Sequence, residues 1–258
     1  MFPSKRESNT GRCRGVTNMD DERIYETSFI QGLFDEMAGT YGFVNLVASF
    51  GFAARWRKQC LRQVALEPGM VVLDLMTGMG ELLPDVVRRI GSQGRVTGVD
   101  ISRVMCERAR GCARRWPQTV EIVEGDALAN DLPDGCADVV VSSFGLKTLS
   151  PRQWAGLAAE VARLLRPGGT FSLVEISVPQ AGWLRGLYLF YLKRLIPTVG
   201  RVCLGNPENY RMLGVYTERF GGCSVVQPAF EGAGLNVREV SYFYGCATGL
   251  VGTKRAAC

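Results

Sequence analysis

The stretch MVVLDLMTGMGE, residues 70 to 81, constrains this chain more than any other. Val71, Val72, Leu73 and Leu75 make a short apolar run, as expected of a parallel strand covered on both faces. Asp74 interrupts the run, and Thr77, Gly78 and Gly80 break it before a helical pattern starts at Glu81. The order is strand, tight turn, helix. A carboxylate near the end of a buried strand needs a reason, and a ligand is the simplest one. Ligands of open α/β sheets sit at the carboxyl ends of the strands, where glycine lets the backbone come close.

The chain beyond this turn alternates in the same way. Glu81 to Ile90 reads as a helix, with Leu82, Val86, Val87 and Ile90 on one side and Pro84 tolerated in the first turn. GRVTGVDI is strand two, and Ser102 can cap the helix Arg103 to Trp116. TVEIVEGDA is strand three and CADVVVSSFG strand four. Pro151 to Leu165 is a helix capped by Ser150 and stopped at Pro167, Gly168 and Gly169, and Thr170 to Ile176 is strand five. Ser224 to Ala233 is a further helix, and LNVREVSYFY with CATGLVGTKRA forms a terminal hairpin. This predicts an α/β fold, a Rossmann-like, doubly wound and mostly parallel sheet with helices on both faces.

Two segments fall outside the alternation. Residues 1–23 read as a flexible tail, and the domain proper runs from 24 to 258. Within it, 24–64 is a helical cap in which Phe29, Leu33, Met37 and Tyr41 recur every four residues. Residues 179–222 are an inserted cap or lid containing the apolar segment WLRGLYLFYLKRLI. There is no acidic residue between Glu175 and Glu208, whereas Arg185, Lys193, Arg194 and Arg201 are present. One reading is a helix packed against the N-terminal helices. The other is a lid whose basic ends meet anionic lipid headgroups.

Composition narrows the chemistry. There is no histidine, which removes Ser-His-Asp and Cys-His mechanisms and most catalytic metal sites, so no metal is expected. The 9 cysteines are scattered without a C-x-x-C pair, consistent with reduced thiols. No apolar run approaches the roughly 18 residues of a membrane span, and the polar N-terminus has no signal core. A cytoplasmic location follows, with peripheral membrane contact left open. The formal charge of +5 comes from arginines interleaved with acids, which fits solvated helix faces better than a nucleic-acid partner. Self-association into a homo-oligomer is compatible with the sequence.

A dinucleotide site wants G-x-G-x-x-G, but from Gly78 the frame reads G-M-G-E-L-L, with Leu83 in place of the third glycine. Asp74 and Glu81 beside the turn also suit a cationic ligand better than a pyrophosphate. S-adenosylmethionine is such a ligand. Asp100, followed by Ile101, ends strand two where an acid can accept from both ribose hydroxyls, and Asp126 with Ala127 follows strand three where they can flank adenine.

The residues also resemble a known family: the class I methyltransferases and, among them, the ubiquinone/menaquinone biosynthesis C-methyltransferases of the UbiE type. The likeness spans roughly residues 29 to 254. It rests on FDEMAGTYGFVN for the family's FD-x-x-A-x-x-YD-x-x-N, DLMTGMGEL for DL-x-x-GTGDL, and SFGLKT for SFGLRN. RLLRPGGTFSLVEIS and LIPTVGRVCLGNPENYRML resemble later stretches. The resemblance implies that Thr77, Asp100, Asp126 with Ala127, and Ser143 contact the cofactor and that Tyr41 closes over its methionine end. Gly42, Lys147 with Thr148, and LGVYTERFGG depart from the family pattern where the acceptor should be recognised.

Transfer from a sulfonium is an in-line displacement that needs positioning more than proton shuttling. Phe34, Tyr41, Phe144, Tyr188 and Tyr191 are candidate aromatics for an acceptor pocket, with Lys147 beside them, and Glu175, Tyr210 and Tyr216 are candidate bases. The expected activity is C-methylation of an aromatic, quinol-like or otherwise hydrophobic small molecule, releasing S-adenosylhomocysteine. O- or N-methylation of a small natural product is the alternative, and a non-catalytic cofactor-binding subunit the rival from another class.

Overall fold

The computed structural model describes residues 23–37, 49, 51–195 and 207–256. Seven strands form one sheet in the order β3-β2-β1-β4-β5-β7-β6. They are β1 (Val71–Leu75), β2 (Arg95–Asp100), β3 (Val120–Glu124), β4 (Ala137–Ser143), β5 (Leu165–Ile176), β6 (Leu235–Tyr242) and β7 (Ala247–Lys254). The first five run parallel, and β7 inserts antiparallel between β5 and β6. β1 is an interior strand between β2 and β4 with Val72, Leu73 and Leu75 buried, so the run of apolar residues is explained by cover on both faces.

The helices are α1 (Thr27–Met37), α2 (Phe52–Leu61), α3 (Leu83–Ile90), α4 (Arg103–Ala113), α5 (Pro151–Leu164), α6 (Gly182–Phe190), α7 (Pro207–Phe220) and α8 (Gln227–Gly232). Local chemistry sets their ends as the sequence suggests. The Ser102 hydroxyl accepts from the Met105 N–H at 3.1 Å, and Ser150 with Gln153 makes a reciprocal capping box ahead of Pro151. One boundary differs: α5 ends at Leu164, and β5 starts at Leu165 rather than at Thr170. Leu165 already pairs with Ala137, and a register irregularity before Val139 absorbs the Pro-Gly-Gly turn inside the strand. The predicted C-terminal helix is also shorter, because residues 223–225 form a 3-10 turn before α8.

The two layers of core lie on either face of the sheet. One gathers Leu73, Leu146, Leu157, Phe171 and Phe230, the other Leu61, Val72, Leu83, Val86 and Ile90. α2 is built into this core rather than laid over it: Cys60 and Leu61 are fully buried, and the Cys60 carbonyl accepts from the Ser172 hydroxyl at 2.8 Å. The 6 described cysteines are free thiols. α1 and α7 meet above the carboxyl end of the sheet, where Leu33, Met37, Met105 and Tyr216 pack together. α6 has no buried residue of its own, and the π-helical turn that follows it at Tyr191–Leu195 packs on α7.

Candidate active site

The cleft opens where β1, β2, β3 and β4 end. β1 stops because Met76 turns into a left-handed conformation (φ 56°), and Gly78 repeats it (φ 59°) where a side chain would be strained. The returned backbone is tied to β2: the Thr77 N–H donates to the Val99 carbonyl at 3.0 Å and the Gly78 N–H to Asp100 Oδ2 at 2.8 Å. Gly98 on β2 makes room for this turn, since a Cβ there would sit 3.0 Å from Thr77 Oγ1.

Three carboxylates converge on the turn. Asp74 is 1% exposed; its Oδ2 accepts from the Thr77 hydroxyl at 2.6 Å, and its Oδ1 has no hydrogen-bond partner within the protein. Burial pushes its carboxyl up to about 7, against the Thr77 hydrogen bond and with the charges of Glu81 and Asp100 adding to the rise. Asp100 is also raised, again mainly by burial, although the N–H groups of Ser102 and Gly78 stabilise its charged form. Glu81 accepts from Arg57 at 2.8 Å and from the Met79 N–H at 3.1 Å. Adjacent, partly desolvated acids with an unsatisfied oxygen form a site in want of a cation. On the third strand end, Asp126 Oδ1 accepts from the Leu128 N–H at 2.8 Å, which fixes the loop that bears Ala127.

The other wall is apolar. β4 ends at Ser143, and Phe144 follows in a left-handed conformation (φ 66°), a strained geometry for a bulky residue and one that collects at functional sites. The Arg57 guanidinium lies 5.0 Å from the Phe144 ring centroid. Arg57 is the one Lys or Arg side chain lining the cleft among the described residues, and its Nε has no partner within the protein. Ile30 and Phe34 of α1, with Met76, Met105 and Leu149, complete this wall.

Of the residues singled out in the sequence, Phe34, Thr77, Gly78, Asp100, Ile101, Asp126, Ala127, Ser143 and Phe144 line the cleft. Asp74 and Gly80 stand behind it. Gly80 is left-handed (φ 82°), and a Cβ there would meet the Leu83 side chain at 2.6 Å. Lys147 and Glu175 are brought together elsewhere. They form a buried ion pair of 2.8 Å, with the Lys147 N–H on Glu175 Oε2 at 3.1 Å, the Ile176 N–H on Oε1 at 2.7 Å, and Lys147 Nζ also on the Phe144 carbonyl at 3.0 Å. The side-chain polar atoms of this pair are engaged with one another and with the backbone, and neither residue lines the cleft. Thr148, the other departure from the family motif, does line the cleft.

Tyr216 is fully buried, donates its hydroxyl proton to the Ile24 carbonyl and packs edge-on against Tyr25 at 5.7 Å. Burial raises its phenol, and it packs α7 against α1 without lining the cleft. Tyr188 and Tyr191 stack 6.4 Å apart on and after α6, and Tyr188 packs behind Phe144 rather than lining the cleft. Tyr41 and the side chain of Tyr210 lie outside the described residues.

Sequence reasoning missed Arg57, Met76, Met105 and Gln153. For Arg57 a signal was present. Ala53, Trp56 and Cys60 mark the buried stripe of α2, and position 57 falls inside it, so a charged residue there faces a partner rather than water.

A cleft with acids at one end and an apolar aromatic wall at the other fits S-adenosylmethionine. The acids that line it, Glu81, Asp100 and Asp126, suit a cationic nucleoside, with the buried Asp74 behind them. Comparisons with known proteins agree. Residues 17–256 match the ubiE/COQ5 methyltransferase family. A demethylmenaquinone methyltransferase of Thermus thermophilus is 31% identical over 222 residues, covering 86% of this chain and all of that protein. One of Lactiplantibacillus plantarum is 29% identical over 230 residues, covering 88% and 96%.

Among solved structures, a SAM-dependent methyltransferase from Aquifex aeolicus superposes with a TM-score of 0.53 at 22% identity, covering 76% of this chain and 88% of that one. The [4+2]-cyclase SpnF gives 0.55 at 19%, covering 79% and 81%. Likeness at that level speaks to the fold alone, whereas the family match spans the cleft, the sheet and the hairpin together. The chain therefore belongs to the ubiE/COQ5 methyltransferase family and is an S-adenosylmethionine-dependent methyltransferase.

Proposed function

We propose that the protein methylates a ring carbon of a hydroxylated, hydrophobic aromatic acceptor of the quinol type. The observation that carries this reading is the pairing of Arg57 with Phe144. It sets a cation, with a free N–H, against an aromatic wall of the cleft. An apolar wall receives the ring, and a guanidinium stabilises a ring oxygen that carries developing negative charge. A quinol deprotonated at oxygen is nucleophilic at carbon; forming the new carbon–methyl bond would break the methyl–sulfur bond, and the hydroxyl proton and the displaced ring proton would pass to solvent, so no histidine is required. The relatives named as demethylmenaquinone methyltransferases support an acceptor of this kind.

The cofactor supplies an electrophilic methyl group. On this reading Asp100 binds the ribose hydroxyls, Asp126 and Ala127 flank the adenine, and Asp74, Thr77, Gly78 and Glu81 surround the methionine end. Ser143 stands at the seam between the two ligands. Arg57 bridges the two halves: its pair with Glu81 fixes the acid wall, and its face toward Phe144 fixes the acceptor wall. α1 shields the cleft from water through Ile30 and Phe34, held down by the Gln31 side chain on the Ile101 carbonyl at 3.2 Å.

The test is transfer of a labelled methyl group from the cofactor to reduced naphthoquinols, simple phenols and amines, read by product mass. Transfer to quinols above the others supports the reading. Transfer to amines alone, or methylation of quinol oxygen, overturns it in favour of N- or O-methylation.

A further inference from the structure

None of the residues of α6 is buried. Trp183, Leu187 and Phe190 are 78%, 63% and 63% exposed, and their spacing of four and three places them on one face of the helix. On the opposite side Leu184 and Tyr188 pack into the cluster that contains Phe144. Single exposed apolar residues are ordinary, but three large ones on one turn-spaced face are not. Arg185, two positions from Trp183 and Leu187, leaves the helix on its other side and lines a groove with Tyr244, which is 80% exposed. Glu239 is the acid in that groove.

The charge pattern selects what covers this face. From residue 176 to 207 the chain carries four basic side chains and no acidic one. A protein partner would need matching acids and an apolar socket, whereas an anionic bilayer offers both properties along any plane. The 9-residue helix is about 13 Å long, too short to cross a bilayer but suited to lie in its interface.

We propose that α6 docks this protein on anionic phospholipid, with Trp183, Leu187 and Phe190 seated below the headgroups and Arg185 on the phosphates. The purpose of the contact rests on the hydrophobic acceptor proposed above; the contact itself does not. Because the inner face of α6 touches the same cluster as Phe144, docking sets the acceptor wall of the cleft close to the lipid from which such an acceptor would be drawn.

The experiment uses the full chain and vesicles of phosphatidylcholine with or without phosphatidylglycerol, some carrying brominated acyl chains. Of the four tryptophans Trp183 is the exposed one, so its emission should shift to the blue and be quenched by bromine on anionic vesicles only. In Trp183→Phe that signal should vanish while flotation with the vesicles persists. Leu187→Glu with Phe190→Glu should weaken vesicle binding at least about a hundredfold, since each lost apolar burial is worth about a factor of ten or more. Binding should also fall as salt rises and in Arg185→Glu.

An unquenched Trp183, equal flotation of the double variant, or equal binding to neutral vesicles would overturn the proposal. So would a dimer in sedimentation that Leu187→Glu dissociates while no vesicle binds. Transfer to a soluble short-chain quinol should be the same in the double variant and the parent. If vesicles bind but no quinol is methylated, docking stands and the acceptor assignment falls.

Discussion

Asp74→Asn should stabilise the ligand-free protein increasingly as pH rises, while weakening its hold on the cofactor. Asp74 is raised from 3.8 to about 7 in the fold, mainly by burial. A carboxyl raised on folding binds more protons in the native than in the unfolded state, so its contribution to stability is intact below the unfolded value and is lost as pH climbs toward the folded one. At 1.36 kcal/mol for each pH unit of displacement, the penalty is about 4 kcal/mol above about pH 7 and about 1.6 kcal/mol near pH 5. Asparagine removes that penalty and keeps an acceptor for the Thr77 hydroxyl, but puts a buried amide donor where Oδ1 has no partner, at a pH-independent cost of about 1–3 kcal/mol. The variant should therefore be near neutral at about pH 5. Relative to the parent it should gain about 2 to 3 kcal/mol between there and about pH 8, or about 4 to 12 °C in Tm by calorimetry. A Tm difference that does not change with pH would refute the argument.

Cofactor affinity of the parent should itself rise through about pH 7 as Asp74 ionises, and isothermal titration in buffers of different ionisation heat should detect proton release in that range. Asp100→Ala removes the acceptor for the Gly78 and Ser102 N–H groups along with the proposed ribose contacts, so the same titration should show about a hundredfold loss or more; unchanged affinity would sink the strand-end arrangement. Lys147→Met leaves Glu175 buried and unpaired and should cost about 3 to 5 kcal/mol in urea unfolding, whereas Lys147→Met with Glu175→Leu should recover most of it. If the single variant is as stable as the parent, the pair is not what holds the turn after β4. Arg57→Met should lower kcat/KM for a quinol about ten- to hundredfold and move its pH profile to the alkaline side, with partial rescue by Arg57→Lys.

The parallel sheet was legible because each strand ends in a signal with one physical meaning: an apolar run for cover on both faces, then glycine, serine or proline where the chain turns. The acid-lined part of the cleft was legible for a related reason. Asp74, Asp100 and Asp126 interrupt apolar surroundings, and acids at successive strand ends are costly without a ligand.

The aromatic wall was not. Lys147 departs from the family motif in the sequence, which points to a changed acceptor, yet the fold turns it away from the cleft onto Glu175, a partner 28 positions along that no local pattern reveals. Arg57 carries the reverse lesson: its place on a buried stripe was readable, but its contact with Phe144 depends on how α2 crosses the end of β4. Hydrophobic periodicity likewise identified α6 without telling which face the core would take.

Delivery of the methyl group to a ring carbon is tested most directly by nuclear magnetic resonance of the quinol product made with isotope-labelled methyl. An aryl-methyl signal coupled to ring carbons is expected, as is its loss with Asp100→Ala. A methoxy or N-methyl signal, or no label transferred by protein that binds the cofactor tightly, would contradict carbon methylation.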